Sequence, residues 1–210
     1  MTLAGFFARQ ARNPRGAFGK YFMSRVFDKG NAPLNTFVRQ VLDLRPHEQA
    51  LEIGYGTGYL IAALAGTLDS GCIHGIDLSP VMADVARKRN RVQIKAGRAS
   101  LKTGDFDTAV YPADFFNAVL SVNTLYFWAA PDRTLDRIRT TLKPGGRLIL
   151  GFQDDRYLEK RNMDRNVFAY YGAGDVERLL SSVFDTVEIK AGDGGGHTSY
   201  CAVALKKGGR

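Results

Sequence analysis

The sequence predicts an α/β fold: a seven-stranded, mostly parallel sheet with an antiparallel seventh strand and helices on both faces. Three observations carry that prediction. The run LEIGYGTGYL at 51–60 reads as a buried strand, a glycine turn and the start of a helix. Short apolar runs then alternate with amphipathic stretches, the pattern of βα units around a parallel sheet. The last two runs, 186–191 and 199–205, are separated by little more than GDGGG at 192–196. A parallel crossover needs about a dozen residues or more, so these two form a hairpin.

Each element follows from local signals. Asn31 and Pro33 offer an N-cap and an early proline for a helix whose Leu34, Phe37, Val38, Val41 and Leu42 share one face, and Pro46 ends it. The first strand opens at Ala50, and the helix behind its glycine turn covers 59–68. A second strand, 72–77, ends on Asp77. Ser79 and Pro80 start a helix as N-cap and first helical residue, running to about Ala96 with Met82, Val85 and Ala86 inward. A third strand is expected over 98–104, and a fourth over 118–122, ending at Asn123. Pro131 opens a helix with Leu135, Ile138 and Leu142 on one stripe, broken by KPGG at 143–146 before a fifth strand, 147–152. The charged, tyrosine-rich stretch 154–171 has no clean period and is expected to run over the fold outside its sheet. Asp175 is placed as the cap of the last helix, which carries Val176, Leu179, Leu180 and Val183.

At 210 residues and 45% hydrophobic, the chain supports one full core. The expected division is an N-terminal arm, 1–30, and a single domain, 31–210. The arm sets Arg9, Arg12, Arg15, Lys20, Arg25 and Lys29 against one acid, Asp28, within a formal net charge of +8, and interleaves Phe6, Phe7, Phe18, Tyr21, Phe22 and Phe27. It is either a helical flap that packs its aromatics on the domain, or a segment that lies on an anionic membrane surface. Cys72 and Cys201 have neither metal spacing nor a disulfide framework, and no metal is expected. No apolar run reaches transmembrane length, and residues 1–30 lack the apolar core and cleavage site of a secretory signal. A cytoplasmic protein is expected, with membrane association through the arm left open.

The glycine spacing narrows the ligand. A dinucleotide fingerprint, G-x-G-x-x-G, would place its third glycine at Tyr59; here Gly54, Gly56 and Gly58 alternate, after Glu52. With the EIGYGTG run at 52–58, GIDLSP at 75–80, Gly104 and Asp105, and LKPGGRL at 142–148, residues 31–205 resemble the class I S-adenosylmethionine-dependent methyltransferases. Within that family the resemblance points to the small bacterial branch that acts on quinones, lipids and other small molecules.

The resemblance implies a Rossmann-like sheet and S-adenosyl-L-methionine as cofactor. By the same resemblance, the backbone of Gly54, Gly56 and Gly58 passes beside the methionine moiety, while Glu52 orders the turn or receives the amine. Asp77 accepts from the ribose hydroxyls, and Leu78 and Met82 pack on the adenine. Asp105 accepts from the adenine amino group near the Phe106 backbone, and Asn123 faces the methionine tail and the acceptor. Simpler roles remain open: Asp77 as a helix cap, Asp105 and Asn123 as loop residues satisfying their own backbone.

The acceptor is narrowed by exclusion. Asn123 is followed by Thr124, Leu125 and Tyr126 rather than the Pro-Pro-aromatic of amino-methyltransferases of nucleic acids, and neither cysteine suits base methylation at carbon. A small, rather apolar acceptor is expected, quinone-like, a secondary metabolite or a lipid headgroup, in a pocket containing Tyr21, Tyr126, Trp128 and Tyr170. No catalytic residue is assigned. Should a base be needed, His197, Asp154, Tyr126 and Tyr21 are candidates, although His197 reads more simply as an exposed histidine of a glycine-rich turn. The alternatives are a nicotinamide-dependent oxidoreductase and a catalytically silent S-adenosylmethionine-binding module. Nucleic acid is not expected as a partner, because the charge sits in the arm without a groove signature on the domain.

Overall fold

The computed structural model describes residues 3–208; residues 1 and 2 of the expected arm, and 209 and 210 of the expected domain, lie outside them. The arm forms α1 (Leu3–Arg12), a π-helical stretch (Phe18–Met23) and α2 (Ser24–Gly30), the last two continuous. There follow α3 (Ala32–Leu42), β1 (Gln49–Ile53), α4 (Tyr59–Ala65), β2 (Cys72–Asp77), α5 (Pro80–Arg89), α6 (Arg91–Lys95), β3 (Ala99–Thr103), β4 (Phe116–Val122), α7 (Pro131–Thr141), β5 (Leu142–Phe152), α8 (Asp155–Lys160), α9 (Ala173–Ser181), β6 (Thr186–Asp193) and β7 (Thr198–Leu205).

The seven strands form one Rossmann-like sheet in the order β3-β2-β1-β4-β5-β7-β6, parallel throughout except for β7, which runs against both β5 and β6. The chain steps outward from β1 to β3 and returns to place β4 beside β1. That reversal leaves a crevice at the carboxyl ends of β1 and β4, where open α/β sheets bind ligands.

Alternate strand residues feed two cores. Leu51, Ile53 and Val119 pack with Leu135 and Ile138 of α7 and with Val176 and Leu180 of α9. Ala50, Ala118 and Leu120 pack with Leu34 and Val38 of α3 and with Ile61 and Leu64 of α4. Each fully buried leucine or isoleucine contributes about 1.5–3 kcal/mol, so these two layers hold the strand ends rigid beneath the crevice.

Four local expectations need correction. Asn31 does not cap α3 with its side chain; its Oδ1 accepts from Asn123 Nδ2 at 3.0 Å. The helix after Ser79 breaks at Asn90, whose buried amide donates to Gly58 O (3.0 Å) and Ala86 O (2.9 Å). Leu142 belongs to β5, pairing with Phe116, and residues 143–146 form an irregularity within that strand. Gly172 is the N-cap of α9, and Asp175 reaches back from the first turn to accept from Gly172 N at 2.9 Å.

Candidate active site

The glycine turn is forced by its surroundings. Gly54, Gly56 and Gly58 have φ of +77°, +52° and +68°, a region that side chains with a Cβ rarely adopt. A Cβ on Gly54 would come within 2.4 Å of Thr124 Cγ2, and one on Gly58 would press on Ala86 Cβ at 2.8 Å. The turn is thus clamped between the loop leaving β4 and the inner face of α5.

Asp77, the last residue of β2, ties this turn down. Its Oδ2 accepts from Gly56 N and its Oδ1 from Ser79 N, both at 2.8 Å. Each oxygen retains lone-pair capacity for a further donor. Burial raises the Asp77 pKa, and the two N–H donors oppose that rise. Glu52, at 3% exposure, sits next to it in charge space: desolvation, and then the Asp77 charge, push its carboxyl up to about 8. Its Oε2 is buried with no hydrogen-bond partner among the described residues. Such an atom costs about 1–3 kcal/mol unless a donor meets it.

These groups line one cavity of about 870 Å³. Leu78 is half-exposed at its edge and Met82 fully buried in its wall. Asp105, in the loop after β3, accepts from Asp107 N at 2.9 Å with one oxygen; Phe106 is buried, and its carbonyl accepts from Arg137 at 3.3 Å. Asn123 takes φ +56°, which asparagine tolerates, and bridges Asn31 to the Tyr126 hydroxyl, 3.2 Å from its Oδ1.

The arm roofs the cavity. Ala11, Met23 and Phe27 line it, and two staples bind the arm to opposite walls of the glycine cradle. At one, Asp28 accepts from Thr57 Oγ1 and from both terminal nitrogens of Arg89, with Arg89 Nη1 also 2.6 Å from Thr57 Oγ1. At the other, Ser79 Oγ donates to Pro14 O at 2.6 Å in a buried position. Sequence reading missed Thr57 and Arg89. The available signal was Asp28, a lone acid among six cations.

Tyr126 and Trp128 line the cavity, but Tyr126 is buried and its hydroxyl is held between Gln153 O and Gln153 N. Burial raises its pKa, so it is not a ready base. Tyr21 and Tyr170 are corrections: neither lines the cavity. Tyr21 is 62% exposed on the outer side of the arm. Tyr170 instead closes the excursion, its hydroxyl bonding Leu158 O (3.2 Å) and Met163 O (2.7 Å) and its ring lying under Arg165. Asp154 caps α8 by accepting from Tyr157 N at 3.0 Å and does not line the cavity. His197 departs from an exposed turn residue in the other direction. It lines the cavity, stacks on Tyr157 with centroids 4.3 Å apart, and its Nε2 is buried without a partner.

Comparison with known proteins bears on what this crevice serves. The profile of the family described as "Methyltransferase domain" matches residues 51–150, from the first strand through the glycine turn, Asp77, Asp105 and Asn123 into β5. The chain is an S-adenosylmethionine-dependent methyltransferase. It is 28% identical over 180 residues to an uncharacterized methyltransferase, YdaC, of Bacillus subtilis, covering 84% of this chain and 93% of that one. It is 32% identical over 114 residues to the demethylmenaquinone methyltransferase of Symbiobacterium thermophilum, covering 54% of this chain and 45% of that protein. Among solved structures, a methyltransferase bound to the Trm112 activator of Haloferax volcanii superposes with a TM-score of 0.76 at 17% identity, over 91% of this chain and 96% of that one. This methyltransferase uses S-adenosylmethionine, and the nicotinamide alternative falls with the family.

The Asp28 staple then has a measurable consequence. Removing its cation with Arg89→Met leaves Asp28 facing Thr57 alone and loosens the roof by about 1–2 kcal/mol. S-adenosylhomocysteine should then leave roughly ten times faster in a stopped-flow displacement experiment. An unchanged release rate would mean that the roof does not control exchange.

Proposed function

We propose that this methyltransferase transfers a methyl group to a small, rather apolar acceptor, a quinone-like ring, a related secondary metabolite or a lipid headgroup, in the cytoplasm and with peripheral membrane contact through the arm. One observation carries the reading: a single cavity runs from the glycine turn and Asp77 to a compartment walled by Phe7, Phe27, Phe127, Trp128 and Phe168. Apolar walls with a few polar groups suit a small organic ligand. The relative named for demethylmenaquinone supports a ring acceptor. The absence of any helix among the described residues long and apolar enough to cross a membrane is compatible with peripheral contact.

The residues present fit the cofactor. The orphaned Glu52 oxygen suits the α-amine of the methionine tail, and the remaining lone pairs of Asp77 suit the two ribose hydroxyls. Gly54, Gly56 and Gly58 offer bare backbone to the tail, Leu78 and Met82 an apolar wall to the adenine, Asp105 an acceptor for its amino group beside Phe106, and Asn123 a polar contact between tail and acceptor. When bound, S-adenosylmethionine supplies a methyl on a sulfonium, already a good leaving group. What the chain adds is positioning and exclusion of water: the arm and aromatic walls hold the acceptor in line and keep the crevice dry. His197, which lines the cavity with an unpartnered Nε2, is available as a base for an acceptor that must lose a proton.

The test is incubation with methyl-labelled cofactor and fractionated metabolites, lipids, protein and nucleic acid. Label is expected in the apolar small-molecule or lipid fraction. Label confined to protein or nucleic acid would overturn the reading.

A further inference from the structure

The arm presents an exposed face that the cavity accounts for only in part. Along the continuous helix formed by the π-helical stretch and α2, Gly19 and Met23 are buried and Phe27 half-buried, while Tyr21, Phe22, Arg25, Val26 and Lys29 are all exposed. The exposed set recurs one turn apart, so it forms one outward stripe. Its apolar members are far from buried: Tyr21 62%, Phe22 47% and Val26 43%. Phe22 also stacks on Phe18 at 4.8 Å, in a group that includes Phe6 and Phe7, extending the apolar surface onto α1.

Charge points the same way. Arg9, Arg12, Arg15, Arg25 and Lys29 are exposed, and Lys20 lies half-buried with its ammonium over the Tyr21 ring at 5.6 Å. The arm's only acid, Asp28, is consumed by Arg89. The arm's exposed charges, Arg25 and Lys29 of the stripe among them, are therefore all cationic and accompany exposed aromatic and aliphatic side chains, the composition that settles at a headgroup boundary with rings inward and cations toward phosphates. Phe22 and Val26 also line the cavity, so its mouth opens through this stripe.

We propose that the outer face of the arm docks on an anionic lipid bilayer, bringing the cavity mouth against the lipid. The apolar acceptor then enters from the membrane side; the docking deepens the membrane contact of the proposed function by assigning it a face and a lipid charge, and the entry route rests on the acceptor proposed there. Tyr21, expected from sequence to line the pocket, is on this account a membrane anchor.

The experiment is flotation of the full chain with vesicles of phosphatidylcholine alone or with phosphatidylglycerol added. Binding is expected to the anionic vesicles only, and to fall as salt is raised, because exposed charges are screened within about 10 Å at 0.1 M ionic strength. The variant Lys20→Glu/Tyr21→Ser/Arg25→Glu should lower the bound fraction by roughly tenfold or more, since each cation near an anionic surface matters and two are reversed. Its melting temperature and affinity for S-adenosylhomocysteine should stay those of the wild type. Lys95→Glu/Arg133→Glu, with the same charge change on α6 and α7, should float like the wild type. Four results would overturn the proposal: no anionic preference, equal loss in both variants, tighter binding to single-stranded RNA than to vesicles, or a dimer that the first variant dissolves. Flotation uses no methyl acceptor. A failed labelling experiment therefore leaves docking intact, and failed docking leaves the acceptor to be settled by labelling.

Discussion

Asp77→Asn is expected to weaken binding of S-adenosylhomocysteine roughly ten- to a hundredfold and to lower the melting temperature by several degrees. The carboxylate does two jobs. Its two oxygens hold Gly56 N and Ser79 N at 2.8 Å, fixing the glycine turn relative to α5, and their remaining lone pairs face the cavity. An asparagine can satisfy only one of those N–H groups. Its NH2 must face the other, and a buried N–H left unpaired costs about 1–3 kcal/mol, each kcal/mol being worth about 2–4 °C in a chain of this size. The same amide leaves one acceptor where two ribose hydroxyls need partners. Calorimetric titration and thermal melting read the two jobs separately. A lowered melting temperature with unchanged affinity would make Asp77 a turn residue only.

Glu52→Gln should abolish a pH dependence that the wild type shows in both stability and binding. Burial, reinforced by the Asp77 charge, raises the Glu52 carboxyl from its ordinary 4.5 to about 8. An acid with a raised folded pKa holds more protons folded than unfolded between those two values. Stability of the cofactor-free protein therefore falls as pH climbs through that window, by a few kcal/mol at most at its upper end. The glutamine variant, which cannot ionise, should match the wild type near pH 5 and exceed it above about pH 7. Binding runs in the opposite sense. A cationic amine stabilises the carboxylate, so S-adenosylhomocysteine should bind the wild type more tightly as pH rises toward 8 and release up to about one proton near neutrality. Titrations in two buffers of different ionisation enthalpy measure that proton. If wild type and variant release equal amounts, Glu52 does not receive the amine.

The fold was legible because its signals are local. Prolines and glycines punctuate the elements, the three alternating glycines mark a turn suited to positive φ and a close backbone approach, and the short 192–196 link demands a hairpin whatever else the chain does. Even the misread boundaries at Asn90, Leu142 and Gly172 are shifts at element ends: a long-range hydrogen bond at the first, strand pairing at the second and a local capping box at the third. Asn90 turns back to the Gly58 carbonyl, a contact across 32 residues that no periodicity announces.

By itself, then, the sequence determined the order of strands and helices, the glycine cradle and the acids that follow it, because these depend on residues a few positions apart. Tertiary structure alone decided how the arm sits. Asp28 meets Arg89 across 61 residues, Pro14 meets Ser79 across 65, and the π-helical stretch, with its extra residue per turn, rotates Tyr21 outward and Met23 inward. An aromatic residue in an arm states that it will bury area if it can. Which of these rings roof the cavity and which face the solvent depends on where two distant hydrogen bonds fasten the helix.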